Sequence, residues 1–287
     1  MPGEYFEKAM SITMTSGWSA DFSYDYFRQL LKAMQANFKP QLLSQAPRIV
    51  NAGKVPKIIL RHDVDVSLKH ALRMAEIETE FGIRATYMFI QNSPLYCLEE
   101  AASRDVLGRL ISMGHEVGLH FDVSDDARNS TCEVSDVESQ IDVACKQLED
   151  VTGSAVESIS FHRPLQQFLR GPLLVGGRTN AYADQLMNWY MSDSKGSWRE
   201  GEPLPRLTRP EKPLLQLLIH PIWWGEKHGL PEDRLQELFT GETAGKSFPF
   251  VSAFDAALAT TVPAVRRRIA HEETHSANQI SHSAGRL

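Results

Sequence analysis

Cysteine is scarce: the 287-residue chain has three, Cys97, Cys132 and Cys145, at wide spacing and with no CxxC pair. That excludes a disulfide framework and a cysteine-built zinc module, and is the usage of reduced thiols in a cytoplasmic protein. Positive charge is also short. Against 36 Asp and Glu stand 30 Lys and Arg, a net charge of −6, so the basic face that general nucleic-acid binding needs is missing. The basic run Arg266-Arg267-Arg268 reads as a solvated face or tail. No apolar run approaches the roughly 18 residues of a membrane span. The N-terminus has no cationic start leading into an apolar stretch, so no signal peptide is expected, and the location expected is the cytoplasm. No GxGxxG or GxxxxGK[ST] turn follows an apolar run, which counts against nucleotide binding.

What is present suffices for a core without staples: 42% hydrophobic and 23% charged residues are ordinary for a soluble domain. Short apolar runs alternate with amphipathic segments. Helices are expected over 24–37, 67–81, 99–113, 134–151 and 231–240, and strands over 57–62, 85–90, 116–121, 156–161, 187–192 and 214–219. This βαβα order predicts an α/β fold, a distorted (β/α) barrel of about seven parallel strands wrapped by helices. Residues 1–265 are expected to form one domain, with 57–225 as its core. Residues 1–56 are an extension that either adds a helix and a strand or covers one end. Residues 266–287 are a polar, flexible C-terminal tail.

Sites in parallel α/β folds form where strands end, and five such ends carry reactive groups. They are "RHDVD" (Arg61 to Asp65), "HFD" (His120 to Asp122), "HRP" (His162 to Pro164), Asp193 after "NWYMS", and His220-Pro221 after "LQLLI". Imidazole and carboxylate together suit a divalent transition metal, which lowers the pKa of bound water and polarises a carbonyl. A spare carboxylate and a spare histidine then supply base and acid. That inventory fits metal-assisted hydrolysis of an amide or ester. A plainer reading has Asp63 and Asp65 capping the helix that begins near Ser67, and it leaves the other four ends unexplained.

The order and spacing of "HDVD", "GHEVGLH", "HRP" and "LLIHP" resemble the polysaccharide deacetylases of the NodB homology type, carbohydrate esterase family four. The resemblance runs from about residue 57 to 225 and implies a barrel fold and a metal-dependent hydrolase that removes the acetyl group of an N-acetylated sugar. It implies Asp63 as base, His220 as general acid, and Arg163 as the residue that orients the base or contacts substrate. Asp65 and His120 would be metal ligands. The family's second histidine is replaced by Ser124, so the third ligand falls to His162, with Asp122 as the lesser candidate. The metal implied is zinc, with cobalt, nickel or manganese as alternatives.

Asp193, Trp223 and Trp224 are candidate substrate-binding residues, and Tyr190 and Trp198 are further candidates for stacking on sugar rings. His62 is expected to be a structural hydrogen-bonder beside the base. The departures resemble a divergent branch linked to surface-polysaccharide (O-antigen) biosynthesis, with a sugar on a nucleotide or lipid carrier as substrate. The rivals are a sugar-binding protein that kept the fold and lost turnover, favoured by Ser124, and an amide hydrolase acting on a non-sugar substrate. "HEETH" (271–275) matches the HExxH zinc-protease pattern but lies in the polar tail and is read as chance.

Overall fold

The computed structural model describes residues 20–51, 53, 55–123 and 134–243. Cys132, Ser124, the basic run at 266–268, the tail and "HEETH" therefore lie outside the described residues.

The long helices are α1 (Tyr24–Asn37), α2 (Leu68–Glu80), α3 (Ala101–Ser112), α4 (Val134–Thr152) and α5 (Pro231–Thr243). The strands are β1 (Lys39–Gln41), β2 (Lys57–Val64), β3 (Thr86–Phe89), β4 (Glu116–Phe121), β5 (Ser158–Phe161), β6 (Leu174–Val175), β7 (Arg178–Asn180), β8 (Tyr190–Ser192) and β9 (Leu214–Ile219). They form one sheet in the order β6-β7-β5-β4-β3-β2-β9-β8, with β1 also paired to β2. Every described pairing is parallel except β6 with β7. The expected α/β class and parallel sheet are what is found. The sheet curls as an open half-barrel, because β6 and β8 end the described path without pairing to each other.

Strands buried on both faces read as near-continuous apolar runs, and β2 and β9 do so because helices cover one face while the barrel interior takes the other. Parity divides the two. On β2, Ile58, Leu60 and Val64 join the large core under the helices. Ile59 joins a smaller interior cluster with Met88, Ala181 and Leu186. Leu43 and Ala46, from the turn after β1, close the lower end of that interior. Of the described part of the N-terminal extension, β1 pairs with β2 at the sheet, α1 packs in the large core, and the turn after β1 packs into the smaller cluster.

α1 begins at Ser23, whose Oγ accepts from the backbone N–H of Tyr26 at 3.1 Å, and it buries Phe27, Leu30, Leu31 and Met34 against the sheet. Ser67 caps α2 through its own side chain. Asp63 and Asp65 are therefore not needed as caps, and the plainer reading of them falls. Sequence periodicity missed the two- and three-residue strands β1, β6 and β7, which are too short to show one. Among the described residues no helix is long and apolar enough to cross a membrane.

Candidate active site and metal centre

Because β8, β9, β2, β3, β4 and β5 are parallel neighbours, their C-terminal ends share one rim. A cavity of about 570 Å³ opens there, and Asp63, Asp65, His120, His162, Arg163 and His220 all line it. The strand ends singled out in the sequence thus converge on one place.

Arg61 and Asp63 alternate with Leu60, His62 and Val64 on β2 and so share its interior face, and Asp65 follows just past the strand. Asp63 lies against Arg61, whose Nε is 3.0 Å from Oδ1 and whose Nη2 donates to Oδ2 at 3.1 Å. The guanidinium is fully buried and also donates to Gln216 Oε1 at 3.2 Å and to the Tyr182 hydroxyl at 3.4 Å. Burial alone would lower its pKa, but Asp63 more than offsets that and raises it.

Asp65, just past the strand, has Oδ1 at 3.1 Å from His120 Nε2 and 3.4 Å from His162 Nδ1. That oxygen is buried yet accepts no aligned hydrogen bond. One ligand atom from each of Asp65, His120 and His162 falls within 4.8 Å of the others. Ser160 Oγ hydrogen-bonds His120 Nδ1 at 2.6 Å, leaving Nε2 turned to the cluster, as an outer-sphere partner does for a metal-binding imidazole. The orphaned carboxylate oxygen and the two converging imidazoles fit a zinc-class ion in charge, donor type and spacing. Burial opposes ionisation of Asp65, but His162 and then His120 outweigh it and hold the carboxyl well below its usual range. For His162 burial disfavours the charged ring, and Asp65 more than compensates, raising its pKa.

His220 follows β9. Asp193 Oδ1 accepts from its backbone N–H at 2.9 Å and bonds its Nδ1 at 2.7 Å, so Nε2 faces the cavity, 3.9 Å from Asp65 Oδ2. Burial works against the imidazolium. The bond to Asp193 outweighs it, Asp65 and Asp63 add to it, and the pKa is pushed up from 6.5 to about 9.

Several expectations are corrected. Of the two roles implied for Arg163, it does not orient Asp63, since its Nε and Nη2 grip Asp122 Oδ1 and Oδ2 at 2.9 and 3.0 Å, whereas it does line the cavity, as contact with substrate requires. It follows His162 by one residue and so leaves the strand end on the side of Asp122. The base's arginine is Arg61, missed although two-residue spacing on a strand was signal enough to find it. The same pairing engages Asp122, leaving His162 as the third member of the ligand cluster. Asp193 is fully buried and holds His220, so it does not touch substrate. Trp224 is fully buried as well. Its indole N–H donates to Asp193 Oδ2 at 2.9 Å and its ring stacks with Tyr26, which leaves no face for a sugar. Trp198 is buried in the same core. Trp223 and Tyr190 do line the cavity.

His62 lies on the other face of β2 from the base, bonded through Nε2 to Glu78 Oε1 beneath the Tyr87 ring. It is structural, but it is not beside Asp63. Cys97 and Cys145 are free thiols.

No protein-family model and no curated protein match the chain. Solved structures do. A CE4 esterase of Streptococcus mutans aligns with a TM-score of 0.44 at 14% identity, over 72% of this chain and 90% of that one. The Streptococcus pyogenes deacetylase PplD, in complex with acetate, gives 0.43 at 14%, over 75% and 86%. A CE4 family pseudoenzyme from Bacillus anthracis gives 0.38 at 14%, over 68% and 67%. The structural neighbours are thus CE4 deacetylases and pseudoenzymes. At such scores the likeness assigns no activity to this chain, and the chemistry of its own residues has to carry the reading.

Proposed function

We propose that the chain is a metal-dependent hydrolase that removes the acetyl group from an N-acetylated sugar. The observation that carries this reading is the meeting, in one cavity, of an arginine-paired carboxylate (Asp63), an Asp–His–His trio with an unsatisfied oxygen, and a histidine hydrogen-bonded through Nδ1 to a buried carboxylate. A binding protein has no need of both a base and an acid.

When bound by Asp65, His120 and His162, a divalent ion would supply Lewis acidity, acidifying a water and polarising the acetamide carbonyl. Asp63, fixed by Arg61, accepts the proton of the attacking water as its oxygen adds to the acetyl carbon. His220 presents Nε2 to the cavity and, with its pKa raised to about 9, carries at neutral pH the proton that the leaving nitrogen takes as the C–N bond breaks. Acetate and a free sugar amine result. Asp193, bonded to Nδ1, sets the His220 tautomer and stabilises the imidazolium. The setting we propose is surface-polysaccharide biosynthesis in the cytoplasm, with zinc as the metal.

The test is acetate release from N-acetyl sugars by the metal-loaded chain, with Asp63→Asn and His220→Ala alongside. Both substitutions are expected to abolish release. Release that survives both would overturn the assignment, and metal binding without release by the parent chain would leave a sugar-binding protein.

A further inference from the structure

The same cavity carries, on its outer wall, cations that the proposed chemistry does not use. Lys195 and Arg199 both line it and both are exposed. Among the described residues neither has a carboxylate partner. Of the other charged groups on that wall, Arg163 is paired with Asp122, and Glu232, in the first turn of α5, is an exposed acid that also lines the cavity. Glu200, next to Arg199 in sequence, accepts from the backbone N–H of Ser192.

The loop that presents these cations is held in place. The Gly196 N–H donates to the Asp193 carbonyl at 2.9 Å. Gly196 has φ +67, and a Cβ there would collide with Pro231 Cγ and lie 3.5 Å from the Trp223 ring, so the loop is packed onto α5 and the cavity wall. Lys195 itself has φ 63, a left-handed conformation that a residue with a side chain adopts only at a cost. A glycine would carry that backbone without the cost. The strained position instead bears a cationic side chain on the cavity wall, one residue from the packed glycine and two from the carboxylate that holds His220.

We infer that Lys195 and Arg199 form an anion-binding subsite and that the substrate is an N-acetylated sugar bearing a phosphate or a carboxylate. The inference rests on the proposed deacetylase reading for the sugar and on the loop alone for the anion. An ammonium and a guanidinium on a cavity wall attract and hydrogen-bond such oxyanions. A neutral polymer offers them nothing.

The test separates the two readings. Binding is measured by calorimetry on the Asp63→Asn chain, which lacks the base and is expected not to turn substrate over, once circular dichroism shows it folded, and on the metal-free parent chain beside it. The probes are N-acetylglucosamine, N-acetylglucosamine 1-phosphate, UDP-N-acetylglucosamine and N-acetylglucosaminuronic acid. At least one anionic probe is expected to bind about tenfold or more tightly than the neutral sugar, and the margin should shrink with added salt. The phosphate and uronate arms show which anion it is. Lys195→Gly, which suits the backbone, and Arg199→Ala should each weaken that probe about tenfold, while Lys195→Arg retains binding. Equal affinity for neutral and anionic probes, no binding of any probe, or an anion preference that survives loss of both cations would overturn the inference. Acetate release by the parent chain is read separately. Anion preference without release sinks the deacetylase and keeps the subsite, whereas release from neutral sugar without anion preference does the reverse.

Discussion

Arg61 and Asp63 form a buried ion pair within one strand, Nε 3.0 Å from Oδ1 and Nη2 donating to Oδ2 at 3.1 Å, with both side chains almost entirely out of water. Two-residue spacing puts both on the interior face of β2, so the pair forms without help from another strand. Removing one partner strands a charge in a region of low dielectric. Arg61→Met is expected to lose about 3–5 kcal/mol of stability, and Asp63→Leu a similar amount. The double variant should recover much of the loss, because the charges leave together. Urea unfolding of the three variants measures this, and strictly additive losses would show that the two residues do not act as a pair.

Asp193 sets the titration of His220. The folded pKa of about 9 lies above the ordinary 6.5, so this pairing contributes stability that is fully present below about pH 6.5 and lost as pH rises through about 9. In the metal-free protein, the His220 ring followed by NMR should titrate near that value. Asp193→Asn should bring it down towards the ordinary range and flatten the alkaline loss of stability. A ring that titrates unchanged in Asp193→Asn would remove Asp193 from the role given to it.

Metal content tests the ligand trio residue by residue. Asp65→Ala, His120→Ala and His162→Ala should each empty the site of protein purified without chelator. Ser160→Ala, which frees His120 Nδ1 from its 2.6 Å bond, should cost about 10–100-fold in metal affinity. Full metal retention in His162→Ala would mean that the third ligand is another group.

Gly118 shows how tightly the interior below the site is filled. A Cβ at this position would lie 2.5 Å from Met88 Sδ, 2.8 Å from Ser158 Oγ and 3.0 Å from the Ser158 carbonyl oxygen. The Ser158 hydroxyl is already committed to Glu116 at 2.6 Å, so it has little freedom to withdraw. Gly118→Ala is expected to destabilise the fold by about 1–3 kcal/mol, read as a lower urea midpoint. An unchanged midpoint would mean that Met88 and Ser158 yield freely.

Much of this was legible in the chain itself. The order of strands and helices, the parallel sheet and the five reactive strand ends follow from apolar periodicity and from where polar residues interrupt it. The placing of Arg61 and Asp63 on one face follows from strand parity, and that parity also sends His62 to the helical side, where Glu78 and Tyr87 meet it. Local sequence decides these things because backbone geometry repeats every two residues in a strand and every 3.6 in a helix.

Only the tertiary structure decided who pairs with whom. Arg163 went to Asp122 and not to the base, Asp193 and Trp224 went to His220's support and not to the cavity wall, and His162 joined Asp65 and His120. Each of these contacts joins residues from different parts of the chain. It depends on the neighbours chosen in the sheet order β8-β9-β2-β3-β4-β5, and long-range packing sets that order. Periodicity tells a side chain which face it takes and at which end it lies, and the fold then determines what waits for it there.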